Sequence, residues 1–207
     1  MNGIFFYIGL GAGLAAACGL RPFLPLLLAG ALGSASVLGV SFAHEPFRFL
    51  QADWWLLVVV VALALAYAVQ LRLHLSPAMD PGKRAGADPL AASLAGLGLG
   101  AGAVLFAGTL AAHRDAWWPG LLGGLLIALF AQRACWPVVV RARSRLQDRT
   151  AREALTVYVD AAALLVAALV ALLHPLGYVV LAALAWFAWR GRARGEEKYA
   201  GLRILRR

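Results

Sequence analysis

The chain has 207 residues, of which 62% are hydrophobic and 14% are charged. A soluble domain carries about 25% charged residues, so this composition excludes an ordinary soluble protein and indicates one integral membrane domain over residues 1–207. The formal net charge is +9, but the basic residues cluster at the ends of apolar segments and no nucleic-acid-binding motif accompanies them, which excludes nucleic acid as a partner.

The first apolar segment runs almost without interruption from Ile4 to Val40. At 1.5 Å per residue it is longer than the roughly 20 residues that a helix needs to cross a bilayer. We therefore expect it to be kinked, tilted or re-entrant, with the break at Arg21-Pro22 or in the small-residue stretch from Gly30 to Ser36. The residues leave open whether the segment crosses once or folds back.

Five further spans are predicted from apolar runs that polar or turn-forming residues separate. They are Trp54–Leu75, Leu90–Ala112, Trp117–Val140, and the two halves of Ala154–Trp189, which His174-Pro175 divides. The predicted fold is therefore all-α, a polytopic membrane bundle of about six transmembrane helices. Residues 190–207 are predicted to form a basic juxtamembrane tail along the cytoplasmic surface.

The basic residues and the histidines predict an orientation for these spans. The predicted basic side receives Arg72, Lys83, Arg84, the arginines from Arg141 to Arg152, and the tail. The opposite side receives His44, His113, His174 and the pairs Trp54-Trp55 and Trp117-Trp118. By the positive-inside rule, both termini are expected in the cytoplasm.

Two alignments suggest an internal repeat. Arg21 and Arg133 are each followed by a proline four residues later, and matching them gives a three-plus-three inverted repeat of the kind found in small transporters. The other alignment matches Asp53-Trp54-Trp55 with Asp115-Ala116-Trp117-Trp118, which a shared position at the membrane interface explains without a repeat. Both alignments stay open.

Glycines recur at small-xxx-small spacing, which permits close contact between membrane helices. They are Gly9 with Gly13, Gly96 through Gly102 at every second residue, and Gly120 with Gly124.

The candidate site consists of charged residues within predicted spans, where each charge costs at least about 2.5 kcal/mol. We predict substrate-binding roles for Arg21, Pro22, Pro25, Arg133 and Asp160. One interpretation is that Asp160 pairs with Arg133 and only holds the bundle together. The other is that Arg21 or Arg133 binds an anionic solute or a lipid headgroup, as bidentate guanidinium chemistry allows, while Asp160 is a proton or cation site.

No catalytic or metal-binding pattern accompanies these charges. His44, His113 and His174 come from separate predicted loops and lack metal-ligand spacing. We therefore predict no metal and no cofactor, and an intramembrane enzyme acting on lipid stays open only as a third interpretation, because no nucleophile-base or metal constellation can be named.

The phrase Gly19-Leu20-Arg21-Pro22-Phe23-Leu24-Pro25, followed by Phe47-Arg48-Phe49-Leu50 before the second span, resembles the uncharacterised bacterial membrane proteins of domain-of-unknown-function family 4126. The resemblance covers most of the chain and extends to Asp160 early in the fifth span. It implies a multi-pass protein of the bacterial inner membrane and supplies no activity.

These observations favour a small transporter, flippase or channel for an anionic solute or lipid headgroup. The alternative is a non-catalytic membrane subunit or assembly factor of a larger complex, in which the glycine faces dock onto a partner. The expected partners are anionic lipid headgroups at the basic loops and tail, together with a second copy of the chain or another membrane protein.

Overall fold

A computed structural model describes residues 3–72, 89–146 and 149–203. Within these ranges the chain forms seven α-helices, one 3₁₀ helix and no strand, as predicted for an all-α protein. The helices are α1 (Ile4–Leu20), α2 (Phe23–Ala35), the 3₁₀ helix (Phe47–Gln51), α3 (Asp53–Arg72), α4 (Pro89–Ala111), α5 (Trp118–Arg145), α6 (Arg149–Leu172) and α7 (Leu176–Arg203). Most of the predicted loop after α3, with Lys83 and Arg84, lies outside the described residues.

Three helical segments are long and apolar enough to cross a membrane, namely Ala92–Ala111, Trp118–Ala142 and Ala154–Leu172. Four shorter apolar segments accompany them: Ile4–Leu20, Phe23–Ala35, Asp53–Val69 and Leu176–Arg190. These segments indicate a membrane protein, but the predicted count of six spans is not confirmed. The predicted tail begins as a continuation of the last helix, because α7 extends without a break to Arg203.

The first apolar segment breaks at Arg21-Pro22, one of the two predicted positions. Proline disfavours helical backbone in the residue before it, and Arg21 is accordingly extended, with φ −150° and ψ 125°. Pro22 then has helical dihedral angles and starts α2. Pro25 falls in the first turn of α2, where backbone N–H groups have no partner within the helix, so its missing N–H costs little.

Both ends of this broken segment lie at one end of the bundle, so the segment folds back. A Cβ built on Gly9 in α1 would lie 2.6 Å from the carbonyl oxygen of His174, and one built on Gly39 beyond α2 would lie 3.5 Å from the His174 ring. Tyr7 stacks on His113 at the same end, which we call the histidine end. Helices α1 and α2 therefore form a hairpin that opens at the histidine end and has Arg21 at its tip.

The described ends of the chain lie at opposite ends of the bundle, and the prediction that both termini lie in the cytoplasm is not confirmed. The backbone oxygen of Phe5 accepts a hydrogen bond of 2.7 Å from the Tyr178 hydroxyl near the start of α7. Helix α7 then continues to Arg203, which at 1.5 Å per residue is roughly 37 Å further along. The predicted orientation counted residues 4–40 as one of six spans and left open whether they fold back, and in the structure the hairpin returns to its starting side.

Helix α1 lies in the middle of the bundle and packs against α2, α4, α5, α6 and α7. All of its residues from Gly9 to Gly19 are buried, as expected of a helix that is apolar on every face. Glycines allow the neighbouring backbones to approach it: a Cβ on Gly19 would meet the backbone of Ala128 in α5, and one on Gly177 would meet the carbonyl oxygen of Gly9. The predicted close contacts at Gly9 and Gly13 are confirmed.

The two arginine-proline phrases have different local structures. Arg21-Pro22 interrupts a helix, whereas Arg133 and Pro137 both lie inside the continuous helix α5. The inverted repeat that depends on their equivalence is not confirmed.

The histidine end is expected to make stability dependent on pH through His174. Partial burial of its ring has the largest effect and lowers the pKa of His174 below its usual value; a hydrogen bond to the Leu38 backbone opposes this shift, and the nearby His113 charge adds a smaller lowering effect. The unfolded chain therefore binds a proton on this residue more readily than the folded protein does. We expect this contribution to stability to be complete above about pH 6.5 and to be lost as the pH falls from that value through the lower pKa of His174 in the folded protein.

Thermal unfolding in detergent between pH 7.5 and pH 5 would measure this effect. His174→Gln should reduce the fall in unfolding temperature, whereas His44→Gln, at an exposed histidine, should leave it unchanged. An identical fall in the wild type and His174→Gln would contradict the assignment.

Candidate functional site

The candidate site is an ion pair at the tip of the α1–α2 hairpin. The Nε atom of Arg21 lies 2.8 Å from Oδ1 of Asp160 in α6, and their side chains are 21% and 9% exposed. Asp160 is the only charged residue classed as buried in the part of the chain that the structure describes. From Gly9 to Arg21, α1 covers about 18 Å along its axis, which exceeds half of a 30 Å hydrocarbon core. The pair therefore lies more than half of a core thickness away from Gly9 at the histidine end.

Tyr67 of α3 completes the site, and sequence reasoning missed it. Its hydroxyl donates a hydrogen bond to Oδ2 of Asp160, so both carboxylate oxygens have a partner. The position of Tyr67 inside an apolar span could have indicated a polar partner nearby, because a buried phenol hydroxyl usually finds a hydrogen-bond partner. The partner itself could not be inferred without the packing of α3 against the hairpin.

The local sequence of α6 explains how Asp160 reaches the hairpin tip. Asp160 shares a buried face with Ala163 and Ala167, at spacings of three and seven residues. Because these alanines are small, α1 and α2 can pack closely on this face. The carboxylate is thereby directed toward the break between the two hairpin helices.

A small cavity of about 20 Å³ adjoins the ion pair, and its lining includes Arg21, Pro22, Leu24, Tyr67 and Asp160. This volume is enough for about one water molecule. The N-terminus of α2 begins at this cavity. Of the predicted site residues, Arg21, Pro22 and Asp160 therefore come together here.

Pro25 and Arg133 do not belong to this site. Pro25 is fully buried in the core and is not among the residues that line the cavity. Arg133 is exposed and lines a separate, larger groove between α5 and α7.

The predicted pairing of Asp160 with Arg133 is wrong, because the partner of Asp160 is Arg21. Helix α1 packs against both α5 and α6, and therefore separates the helices that carry Arg133 and Asp160. Counting residues along the spans could place both charges at similar depth but could not show the helix between them.

Two further polar residues of the predicted spans, Gln132 and Tyr158, lie outside this site. Gln132 donates a hydrogen bond of 2.8 Å to the backbone oxygen of Ala95, which ties α5 to α4. Tyr158 is 73% exposed on α6. Among the described residues, no three histidine, cysteine or carboxylate side chains are grouped so that they could hold a metal ion.

The fold and the site define a class, an α-helical membrane protein with a buried ion pair at the tip of a broken helical hairpin. A model of the family described as Domain of unknown function (DUF4126) matches residues 8–194, and the chain belongs to this family. No curated protein and no solved structure matches the chain.

Proposed function

We propose that this protein is a small membrane transporter that moves an anion past Arg21 and couples this movement to protonation of Asp160. The observation that carries the proposal is the contact of 2.8 Å between Arg21 and Asp160 at a helix break. Ionisable residues at membrane depth commonly mark ion or substrate paths. Discontinuous helices that end within the membrane form the binding sites of many secondary transporters.

The chemistry of transport follows from the exchange of one anion for another at Arg21. A phosphate or carboxylate group can take the place of Asp160, because guanidinium N–H groups match both anions in a bidentate geometry. Asp160 then lacks its counter-ion in an apolar site, and such a carboxylate binds a proton from solution instead of remaining charged. The Tyr67 hydroxyl, which contacts Asp160, keeps the carboxyl group in place during the exchange.

The cavity of about 20 Å³ is too small for such an anion, so the proposal requires the hairpin tip to move away from α6. The break at Arg21-Pro22 supports such a movement, because no continuous helix has to bend. The paired state is then the resting state, in which each charge has the other as its partner.

The orientation that we propose places the C-terminal end of α5, with Arg141 and Arg145, in the cytoplasm of a bacterial cell, in accordance with the positive-inside rule. The end of α7 at Arg203 lies on the same side in this arrangement. The histidine end, with the start of α1, then faces away from the cytoplasm.

The second candidate function is a non-catalytic membrane subunit or assembly factor. It is favoured by the closed state of the site, because Arg21, Tyr67 and Asp160 satisfy one another. In that case the ion pair only connects the hairpin to α6, and its replacement by apolar residues should preserve function.

A proton-flux measurement in liposomes separates the two candidates. Purified protein is reconstituted with a trapped pH-sensitive dye, and gradients of phosphate, sulfate and succinate are imposed in turn. We expect the wild type to acidify the interior with at least one anion and the Arg21→Leu/Asp160→Leu variant to match empty liposomes. Arg48→Leu, at an exposed arginine of the 3₁₀ helix, is the matched control and should retain flux.

The transport proposal is contradicted if the wild type moves none of the three anions, or if the folded double variant moves them at the wild-type rate. Co-purification of one defined membrane protein with both the wild type and the double variant would support the subunit role instead.

A further inference from the structure

The cavity at the hairpin tip combines one positive and one negative side chain, those of Arg21 and Asp160, with the uncharged hydroxyl of Tyr67. The other described residues of its lining are all apolar, namely Pro22, Phe23, Leu24, Leu63, Ala66 and Leu94. Within the part of the chain that the structure describes, no second basic side chain lines the cavity. Because an apolar lining cannot solvate a charge, the charges inside the cavity must balance one another.

The two helix ends at the break add little net charge to this site. The C-terminus of α1 at Leu20 carries about half of a negative elementary charge, and the N-terminus of α2 at Phe23 carries about half of a positive one. Only Arg21 and Pro22 separate the two ends, so these opposite partial charges largely cancel at the cavity. The Arg21 side chain therefore supplies the net positive charge that an anion would meet.

The sum of charges in the site limits which anions it can hold. In the resting state Arg21 and Asp160 are in contact at 2.8 Å and their charges sum to zero. In the proposed exchange an anion replaces the Asp160 carboxylate at Arg21, and Asp160 binds a proton. A singly charged anion then restores a sum of zero, whereas a doubly charged anion leaves one negative charge without a partner. Such a charge is costly in an apolar site.

We propose that the substrates of the Arg21 site are singly charged oxyanions, such as dihydrogen phosphate, and that the site rejects doubly charged oxyanions, such as sulfate. This inference rests on the proposed transport function and specifies its substrate class. The Arg21 guanidinium group binds two oxygen atoms of the anion. The backbone N–H groups of Phe23 and Leu24, which have no partner within α2, can donate to a third oxygen.

The charge carried in one transport cycle follows from this assignment. One singly charged anion leaves Arg21 on the far side of the membrane, and one proton leaves Asp160 on the same side. The anion and the proton together carry no net charge, so the membrane potential should not change the rate of transport.

Methanesulfonate and sulfate form a matched pair of probes, because both have a tetrahedral sulfur atom but they carry one and two negative charges. Gradients of each are imposed on liposomes that contain the purified full chain and a trapped pH-sensitive dye, with the Arg21→Leu/Asp160→Leu variant as background. After subtraction of this background, we expect methanesulfonate to acidify the interior at least about tenfold faster than sulfate, since the unpaired charge in the sulfate complex costs more than one tenfold step in binding.

Two further measurements complete the test. A potassium diffusion potential, set with valinomycin, should leave the methanesulfonate-driven flux unchanged. Arg48→Leu, at an exposed arginine outside the cavity, is the matched control and should show the same preference for methanesulfonate as the wild type.

Sulfate-driven flux above background that equals or exceeds the methanesulfonate-driven flux would overturn the substrate class and leave transport through Arg21 intact. The same holds if phosphate moves and methanesulfonate does not, or if the membrane potential changes the methanesulfonate-driven flux. Equal flux in the wild type and the folded double variant for every anion would instead contradict the transport function, and this inference with it.

Discussion

Replacing Asp160 by leucine is expected to lower the free energy of unfolding by about 3 kcal/mol, because Arg21 would keep a largely buried charge without its partner. Removing one member of a buried ion pair costs about 3–5 kcal/mol. The lower value applies here, because 21% of the Arg21 side chain remains exposed. Arg21→Leu should cost a similar amount, since it leaves Asp160 unpaired.

The double variant Arg21→Leu/Asp160→Leu should recover most of this loss. Two apolar side chains remove the cost of burying charge, so its free energy of unfolding should lie within about 1 kcal/mol of the wild type. Unfolding by SDS in mixed micelles measures the three variants. Asp53→Leu, at an exposed carboxylate that starts α3, is the control and should change the free energy by less than about 1 kcal/mol.

A double variant that loses the sum of the two single effects would show that the charges do not interact. It would then contradict the pairing on which the proposed transport site depends. Recovery of stability in the double variant also makes the flux experiment informative, because a loss of flux could no longer be attributed to unfolding.

Replacing Gly98 by alanine is expected to lower the free energy of unfolding by about 1–3 kcal/mol, the usual cost of overpacking a core. A Cβ at this position would lie 2.8 Å from the backbone oxygen of Cys18 and 3.1 Å from Nε2 of Gln132. The Cys18 oxygen belongs to the central helix α1, so it cannot move away as the end of a flexible side chain could. Helix α4 would have to shift away from α1.

Gly100 provides a matched control two residues further along the same helix. A Cβ at Gly100 would have no neighbour within 4 Å, and alanine is the better helix former by roughly 0.5–1 kcal/mol. Gly100→Ala should therefore leave the free energy of unfolding unchanged or raise it slightly. The same loss in both variants would mean that the effect comes from helix propensity or lipid contact and that α4 does not pack on α1 as described.

Gly98 and Gly100 also show what the glycine spacing in the sequence can and cannot predict. The spacing from Gly96 to Gly102 predicted helix contact but not which glycines make it. In the structure Gly98 and Gly102 face α1, while Gly96 and Gly100 have open space around them. Alternate glycines lie on nearly opposite faces of a helix, so only the rotation of α4 about its axis could separate the two sets.

The family resemblance was predicted from the phrase around Arg21 and is confirmed over residues 8–194. The phrase could be recognised because it is a local pattern: an arginine followed directly by a proline inside an apolar run. The site could be predicted only in part: Arg21, Pro22 and Asp160 were named, whereas Tyr67 was not. Tyr67 contributes through a contact with a residue 93 positions away in the chain, and no local pattern records such a contact.

The sequence by itself determined that the chain is suited to lipid, that it is helical, and that Arg21-Pro22 is one of two positions at which the first apolar segment can break. These follow from composition, from hydrogen-bonding requirements in lipid and from the steric effect of proline on its neighbour, all of which act within a few residues. Only the tertiary structure decided that α1 and α2 fold back to the histidine end and that Asp160 pairs with Arg21 instead of Arg133. Those outcomes depend on the direction, depth and rotation of whole helices, which long-range packing around α1 sets.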